Sequence, residues 1–304
     1  MKIRSQSFKF VCITIIAILL SSLACSIDWG NDSGDSISAE QTLTALVQTQ
    51  SALENQVSEE TEEVSPPPEE EPVVEEELPD VVYEGVSFSF DPSIGINVIP
   101  ATIPMQDMGD DYMPGDTYPT HYEFTFGTYA VGEHFHTPKI IIYPVDEYNA
   151  ITPYVSESFD SLQLALATHP SGGVNDHLPF LPFWNAAQIF TTKVSYFNFQ
   201  NGSGVRYLTM YGQDIYPVDN TNLFYTYQGM TDDGRFYISA VIPVIHMSLP
   251  NDGDDIVADW EAFMAGWDAY ISDTVDWLNA ADPNSFFPSL LMLDEMMASF
   301  LINQ

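Results

Sequence analysis

The stretch AQIFTTKVSYFNFQNGSGVRYLTMYGQDIYPVDNTNLFYTYQGMTDDGRFYISAVIPV, residues 187–244, decides the fold. It holds four runs rich in β-branched and aromatic residues, at 189–199, 205–211, 224–230 and 235–244. Turn-forming segments separate them: Asn201-Gly202-Ser203-Gly204, residues 217–220, and Asp232-Asp233-Gly234. Connections this short join only antiparallel neighbours, because a parallel crossover needs about a dozen residues. The block predicts a four-stranded meander.

Working upstream, Val86, Phe88 and Phe90 alternate with Ser87 and Ser89, the period of a half-buried strand that stops at Asp91-Pro92. Residues 96–103 predict a second strand, placed at a sheet edge by Pro100, which cannot donate to a ladder. Residues 106–119 read as loop, and strands follow at 121–126 and 139–143. A helix is predicted next, with Thr152 as cap and Pro153 in its first turn. Val155, Phe159, Leu162 and Leu166 make its apolar face, and Pro170-Ser171-Gly172-Gly173 ends it.

Downstream, residues 256–278 place Ile256, Trp260, Phe263, Trp267, Tyr270, Ile271, Val275 and Leu278 at helical spacing before the break at Asp282-Pro283. A last helix, about 288–301, buries Leu290, Leu293, Met297, Phe300 and Leu301. The expectation is one α+β domain over residues 81–304: an antiparallel sheet of about seven or eight strands flanked by three helices, an α/β/α sandwich. The motifs GVSFSF (85–90), DGRFYISAVIPV (233–244) and LDEMMASF (293–300), in that order, resemble the PsbP-type sandwich of small extracytoplasmic proteins. That resemblance implies a fold and a binding or assembly role, and no residue roles.

The N-terminal 80 residues have another character. Lys2, Arg4 and Lys9 precede the apolar run 10–20, which is too short for a bilayer that needs about 20 residues. Ser21, Ser22 and Ala24 then lead to Cys25, so residues 1–24 read as a signal peptide. Ser22-Leu23-Ala24-Cys25 resembles the lipobox of bacterial lipoproteins, with Leu one place later than usual. The resemblance implies that Cys25 becomes the acylated first residue and holds the chain on the outer face of a membrane, where several acyl chains make a durable anchor. Ordinary cleavage after Ala24 also satisfies a small-x-small rule. Residues 25–80 form an acidic tether with 16 carboxylates and no basic residue. Its part from 58 to 80, with three consecutive prolines, has nothing to bury and reads as disordered. Within residues 38–57, Leu43, Leu46, Gln50, Leu53 and Val57 follow an a/d heptad spacing. A seam of two heptads is marginal by itself, so a frayed helix is favoured over oligomerisation through it.

Charge and composition exclude several functions. The chain has 304 residues, 44 acidic and 7 basic, for a net charge of −37. That excludes nucleic-acid binding through a basic face, since phosphates must be met by Lys and Arg. With Cys12 lost in the signal and Cys25 acylated, no thiol remains for a disulfide, a thiolate metal site or a nucleophile. Hydrophobic residues at 45 % and aromatics at 13 % supply a substantial core.

Candidate chemistry is sparse, and no cofactor is implied. No GxSxG elbow, Walker loop or dinucleotide fingerprint occurs, and Ser171 and Ser203 read as turn residues, so no catalytic residue is assigned. A carboxylate-based hydrolase stays open only because acids are so plentiful. His134 and His136, spaced to share a strand face, could ligate zinc with His121 or Glu123; the alternative is two histidines in a turn. Two acidic groups suggest calcium: Asp107, Asp110, Asp111 and Asp116, and Asp252, Asp254, Asp255 and Asp259. Neither fits an EF-hand, and the second suits helix capping. The apolar loop 178–184, LPFLPFW, is a candidate ligand or partner contact through Leu178, Phe180, Leu181, Phe183 and Trp184; as a plain structural element it is a strap over the sheet edge. The best overall reading is a membrane-anchored, non-enzymatic binding module. A hydrolase or a surface metal-binding protein is the alternative.

Overall fold

The computed structural model describes residues 78–109 and 114–303. The signal sequence, Cys25, the heptad positions Leu43, Leu46, Gln50, Leu53 and Val57, the tether up to residue 77, and Asp110 and Asp111 lie outside the described residues. The elements run β1 (Val81–Tyr83), β2 (Val86–Phe88), β3 (Gly95–Ile103), β4 (His121–Tyr129), β5 (Lys139–Pro144), α1 (Val145–Ile151) and α2 (Tyr154–Thr168). They continue with β6 (Ala187–Phe199), β7 (Gly202–Gly212), β8 (Phe224–Thr231), β9 (Phe236–Pro243), β10 (Ile245–His246), α3 (Trp260–Ala265), α4 (Trp267–Ala280), β11 (Phe286–Phe287), α5 (Leu290–Ala298) and β12 (Leu301–Ile302).

Seven strands form one antiparallel sheet in the order β3-β4-β5-β9-β8-β7-β6. The meander is β6 to β9, and β3, carrying Pro100, is an edge. Small strands β1, β2 and β12 pair beside it, and β10 pairs with β11. Gly202 and Gly204, expected in a turn, lie in β7. A Cβ at either would strike the ring of Phe199 or Tyr227, so close approach rather than turn geometry requires glycine there.

Period-two alternation in the central strands is what puts a layer on each face. On one face, Ile141, Tyr143, Val205, Tyr207 and Tyr237 pack against Tyr148 of α1 and Val155, Phe159 and Leu162 of α2. On the other, Ile140, Ile142, Leu208, Tyr225, Tyr227, Ile238 and Ile242 meet Ile271, Val275 and Leu278 of α4 and Leu290, Leu293 and Met297 of α5. β8 and β9 are buried along their whole length for this reason. The architecture is α+β, with helices on both faces of an antiparallel sheet.

Helix boundaries differ from the expectation in three places. A short α1 precedes α2; Thr152 ends α1 instead of capping α2, whose N-cap is Pro153 with no side-chain bond. The helix expected over 256–278 is two, divided at Gly266, and α3 buries none of its residues. Asp259 sets the start of α3 by accepting from the N–H groups of Glu261 and Ala262 at 3.0 and 3.1 Å. The last helix ends at Ala298, and Leu301 belongs to β12.

Two polar attachments lock the helices of the second face to the sheet. Arg206 on β7 donates in a bidentate pair to Asp294 on α5, at 2.9 Å from Nε and 2.7 Å from Nη2. The Tyr225 hydroxyl donates to the same carboxylate at 3.0 Å. Lys193 sits at a bulge of β6 with φ of +55°. Its ammonium donates to the carbonyls of Asn279 (3.0 Å) and Ala281, a cation on the negative end of α4.

Candidate functional site

The loop 178–184 is a strap that starts over the edge strand β6 and runs inward across the sheet face to β9. Its two prolines prevent it from pairing as a strand, so its backbone polar groups need partners from elsewhere. A row of side chains from four adjacent strands supplies them. Gln188 on β6 accepts from Leu178 N–H at 2.9 Å, and the Tyr207 hydroxyl on β7 donates to Pro179 O at 2.7 Å. Gln228 on β8 accepts from Leu181 N–H at 3.0 Å, while the Ser239 hydroxyl on β9 donates to Leu181 O. Leu178, Phe180 and Leu181 are buried in this packing. Phe183 and Trp184 remain half-buried, Trp184 against Phe180, Tyr211 and Phe224. Leu178, Phe180 and Phe183 also line a hollow of about 340 Å³ between the strap and α2.

The four candidate metal ligands do not converge. His134 Nε2 donates to Leu223 O at 2.9 Å, and its Nδ1 accepts the His136 N–H at 3.0 Å, so both ring nitrogens are in use. The His136 ring stacks on Trp184, with centroids 4.6 Å apart and planes 9° from parallel. Burial drives His136 down to about 3, and the neighbouring His134 adds to this. Burial lowers His134 as well. His121 donates from Nδ1 to Pro119 O at 2.8 Å, between Tyr118 and Tyr143, and is likewise lowered by burial. Glu123 pairs with Lys139 at 3.0 Å. Among the described residues, no three His, Cys, Asp or Glu side chains are grouped as a metal site.

The acids around residue 252 are caps and pins. Asp252 accepts from Asp254 N–H and from the Tyr216 hydroxyl, each at 3.0 Å. Asp219 is fully buried and accepts from Thr221 N–H and its hydroxyl, each at 2.8 Å, and from Gly253 N–H at 2.7 Å. A buried carboxylate held by three donors fixes the loop before β8 against the turn that leads to α3.

A further concavity lies elsewhere. A cleft of about 770 Å³ opens at the corner where β6, an edge strand, begins beside the end of β7. One wall is the loop with Val174, Asn175 and His177, and another is Gln213, Asp214 and Ile215. Ala187, Gln188 and Ile189 form the sheet side, and Trp267, Asp268 and Ser272 of α4 close it. The loop wall is held to β6 by Thr191, whose N–H donates to Gly173 O at 2.9 Å and whose hydroxyl donates to Asp176 O at 2.9 Å. The Trp267 ring is braced by Phe263 and Tyr270, at 5.9 and 5.7 Å between centroids. Tyr270 is itself fixed by accepting from Val218 N–H at 3.0 Å. The arrangement offers an aromatic surface, two carboxylates, amide and hydroxyl groups, and no Lys or Arg.

Compared with protein-family models, with curated proteins and with solved structures, the chain finds no match. The geometry therefore carries the functional reading. Sequence reasoning placed Trp267 on the apolar stripe of the helix expected over 256–278 and did not select Asp214, Asp268 or Asn175 as site residues. The signal that could have found the cleft is Gly266 directly before Trp267, which divides the helix and releases α3, with its Trp260 and Phe263, from the sheet. No helix among the described residues is long and apolar enough to cross a membrane.

Proposed function

We propose that this chain is a non-enzymatic binding module, held outside the cytoplasmic membrane by acylation of Cys25 and carrying its ligand in the cleft walled by Trp267, Asp214 and Asn175. The observation that carries the reading is the cleft: a braced indole beside a small set of exposed polar groups has the composition of a ligand site. His121, His134 and His136 and the buried Asp219, which could otherwise run acid–base chemistry, are tied to backbone or ring partners. The PsbP-type resemblance, whose members mostly act as binding or assembly modules, supports the same reading by analogy.

Two experiments test it. Fatty-acid labelling of the native chain should be lost in Cys25→Ser; equal labelling of both would remove the anchor. NMR titration of the full mature chain with a panel of small polar molecules should concentrate shifts at residues 174–177, 212–215 and 267–272. Shifts confined to other surfaces would refute the cleft.

A further inference from the structure

We infer that the cleft takes a small organic cation, its ammonium group seated on the Trp267 ring with Asp214 and Asp268 as counter-charges. This rests on the reading of the cleft as the binding site and adds the chemical class of its ligand.

Three observations point to a cation. First, the cleft is lined by two carboxylates and by neither Lys nor Arg, so a phosphate, sulfate or carboxylate ligand would meet repulsion with no Lys or Arg to offset it, only His177 and neutral amide and hydroxyl groups. Second, all four basic side chains of residues 81–304 are engaged elsewhere. Lys139 pairs with Glu123, Arg206 with Asp294, and Lys193 caps the far end of α4. Arg235 lies near Asp233 and over the Phe236 ring. Over those same residues 28 acidic side chains face only these four, so the surrounding field is negative and the cleft concentrates cations. Third, the Trp267 indole is held in place before any ligand arrives, braced by Phe263 and Tyr270. An indole that lines the same cleft as two carboxylates supplies the two kinds of group, a negative ring face and a counter-charge, that recognise alkylammonium ligands. Preorganisation also reduces the ordering that binding would require.

Calorimetry on the full mature chain with choline and with its uncharged isostere, in which a quaternary carbon replaces the nitrogen, tests the inference. Choline should bind about tenfold tighter than the isostere, the ratio given by a partly desolvated cation–π contact. Its affinity should fall with added salt. Trp267→Leu keeps an apolar side chain without the ring face and should lose most of the difference. Asp268→Asn, an exposed change that leaves the helix intact, should also narrow it. Equal binding of choline and the isostere, both sensitive to Trp267→Leu, would overturn the cation inference while the cleft stands. Choline binding untouched by both substitutions would place the cation elsewhere and overturn it too. Binding of neither probe would count against the inference and the cleft together.

Discussion

Replacing Gln228 with Met tests whether the strap is held by the polar row beneath it. Gln228 is fully buried, and its Oε1 accepts from Leu181 N–H at 3.0 Å and from the Tyr237 hydroxyl at 2.7 Å. Its Nε2 donates to Thr226 Oγ1 at 2.8 Å and Ser239 Oγ at 3.0 Å. Methionine has nearly the same length and volume, so packing is conserved while the amide is lost. Two donors, the Leu181 amide and the Tyr237 hydroxyl, are then left in a dry interior. Each orphaned donor costs about 1–3 kcal/mol, and the apolar side chain recovers about 1 kcal/mol on transfer. The net loss is about 1–5 kcal/mol, a large part of the roughly 5–15 kcal/mol by which domains are stable. Urea unfolding should show a midpoint lowered by about 1 M or more with the slope unchanged. Amide exchange at Leu181 should accelerate more than at β9, because the strap loses its anchor first. A change in unfolding free energy below about 0.5 kcal/mol would refute the reasoning, since that is the size of an ordinary surface substitution.

Three further outcomes follow from the same structure. His136 is lowered in the folded state from 6.5 to about 3, so protonation favours the unfolded chain. Its stabilising contribution is complete above pH 6.5 and is lost as pH falls toward 3, with a slope near 1.4 kcal/mol per pH unit for one proton; His136→Phe should flatten unfolding free energy against pH across that window. Asp294→Asn leaves Arg206 without its counter-charge and should destabilise by about 3 kcal/mol, whereas Arg206→Met with Asp294→Leu should recover most of the loss in a double-mutant cycle, read by chemical denaturation. Zinc and chelators should leave the melting temperature unchanged, because both ring nitrogens of His134 are already bonded; a rise of several degrees with zinc would show that those bonds give way to a metal.

The sheet was legible in the sequence because its signals are local. The short turns at 200–201 and 232–235 allow only one kind of neighbour, and Pro100 marks an edge without reference to anything distant. The helix starting at residue 154 was legible for the same reason, in the spacing of Val155, Phe159 and Leu162. The strap was not. LPFLPFW states that the segment is apolar and cannot be a strand or helix, but its location depends on Gln188, Tyr207, Gln228 and Ser239, which come from four strands and align only after the sheet has formed. The cleft was illegible for a related reason. Trp267 and Ile271 have the same helical spacing to their neighbours, yet Ile271 is fully buried and Trp267 only half so. Periodicity identifies an apolar stripe, and the break at Gly266 decides how much of the stripe reaches the core.

The distribution of buried groups also says where function can sit on this fold. Both faces of the sheet are covered, one by α1, α2 and the strap, the other by α4, α5 and the β1–β2 hairpin. Among the described residues the polar groups inside these layers are matched to partners, the Tyr148 hydroxyl excepted, and a matched buried network tolerates little change without loss of stability. Change is tolerated where side chains meet water, and one such place is the rim where loop 173–177, loop 212–217 and the start of α4 meet. Those segments are nonetheless fixed to the scaffold, by Thr191 on one side and by Tyr270 and Asp219 on the other. A rim of variable chemistry on rigid supports is what a binding site requires, and α3 extends it with an aromatic surface that the core does not use.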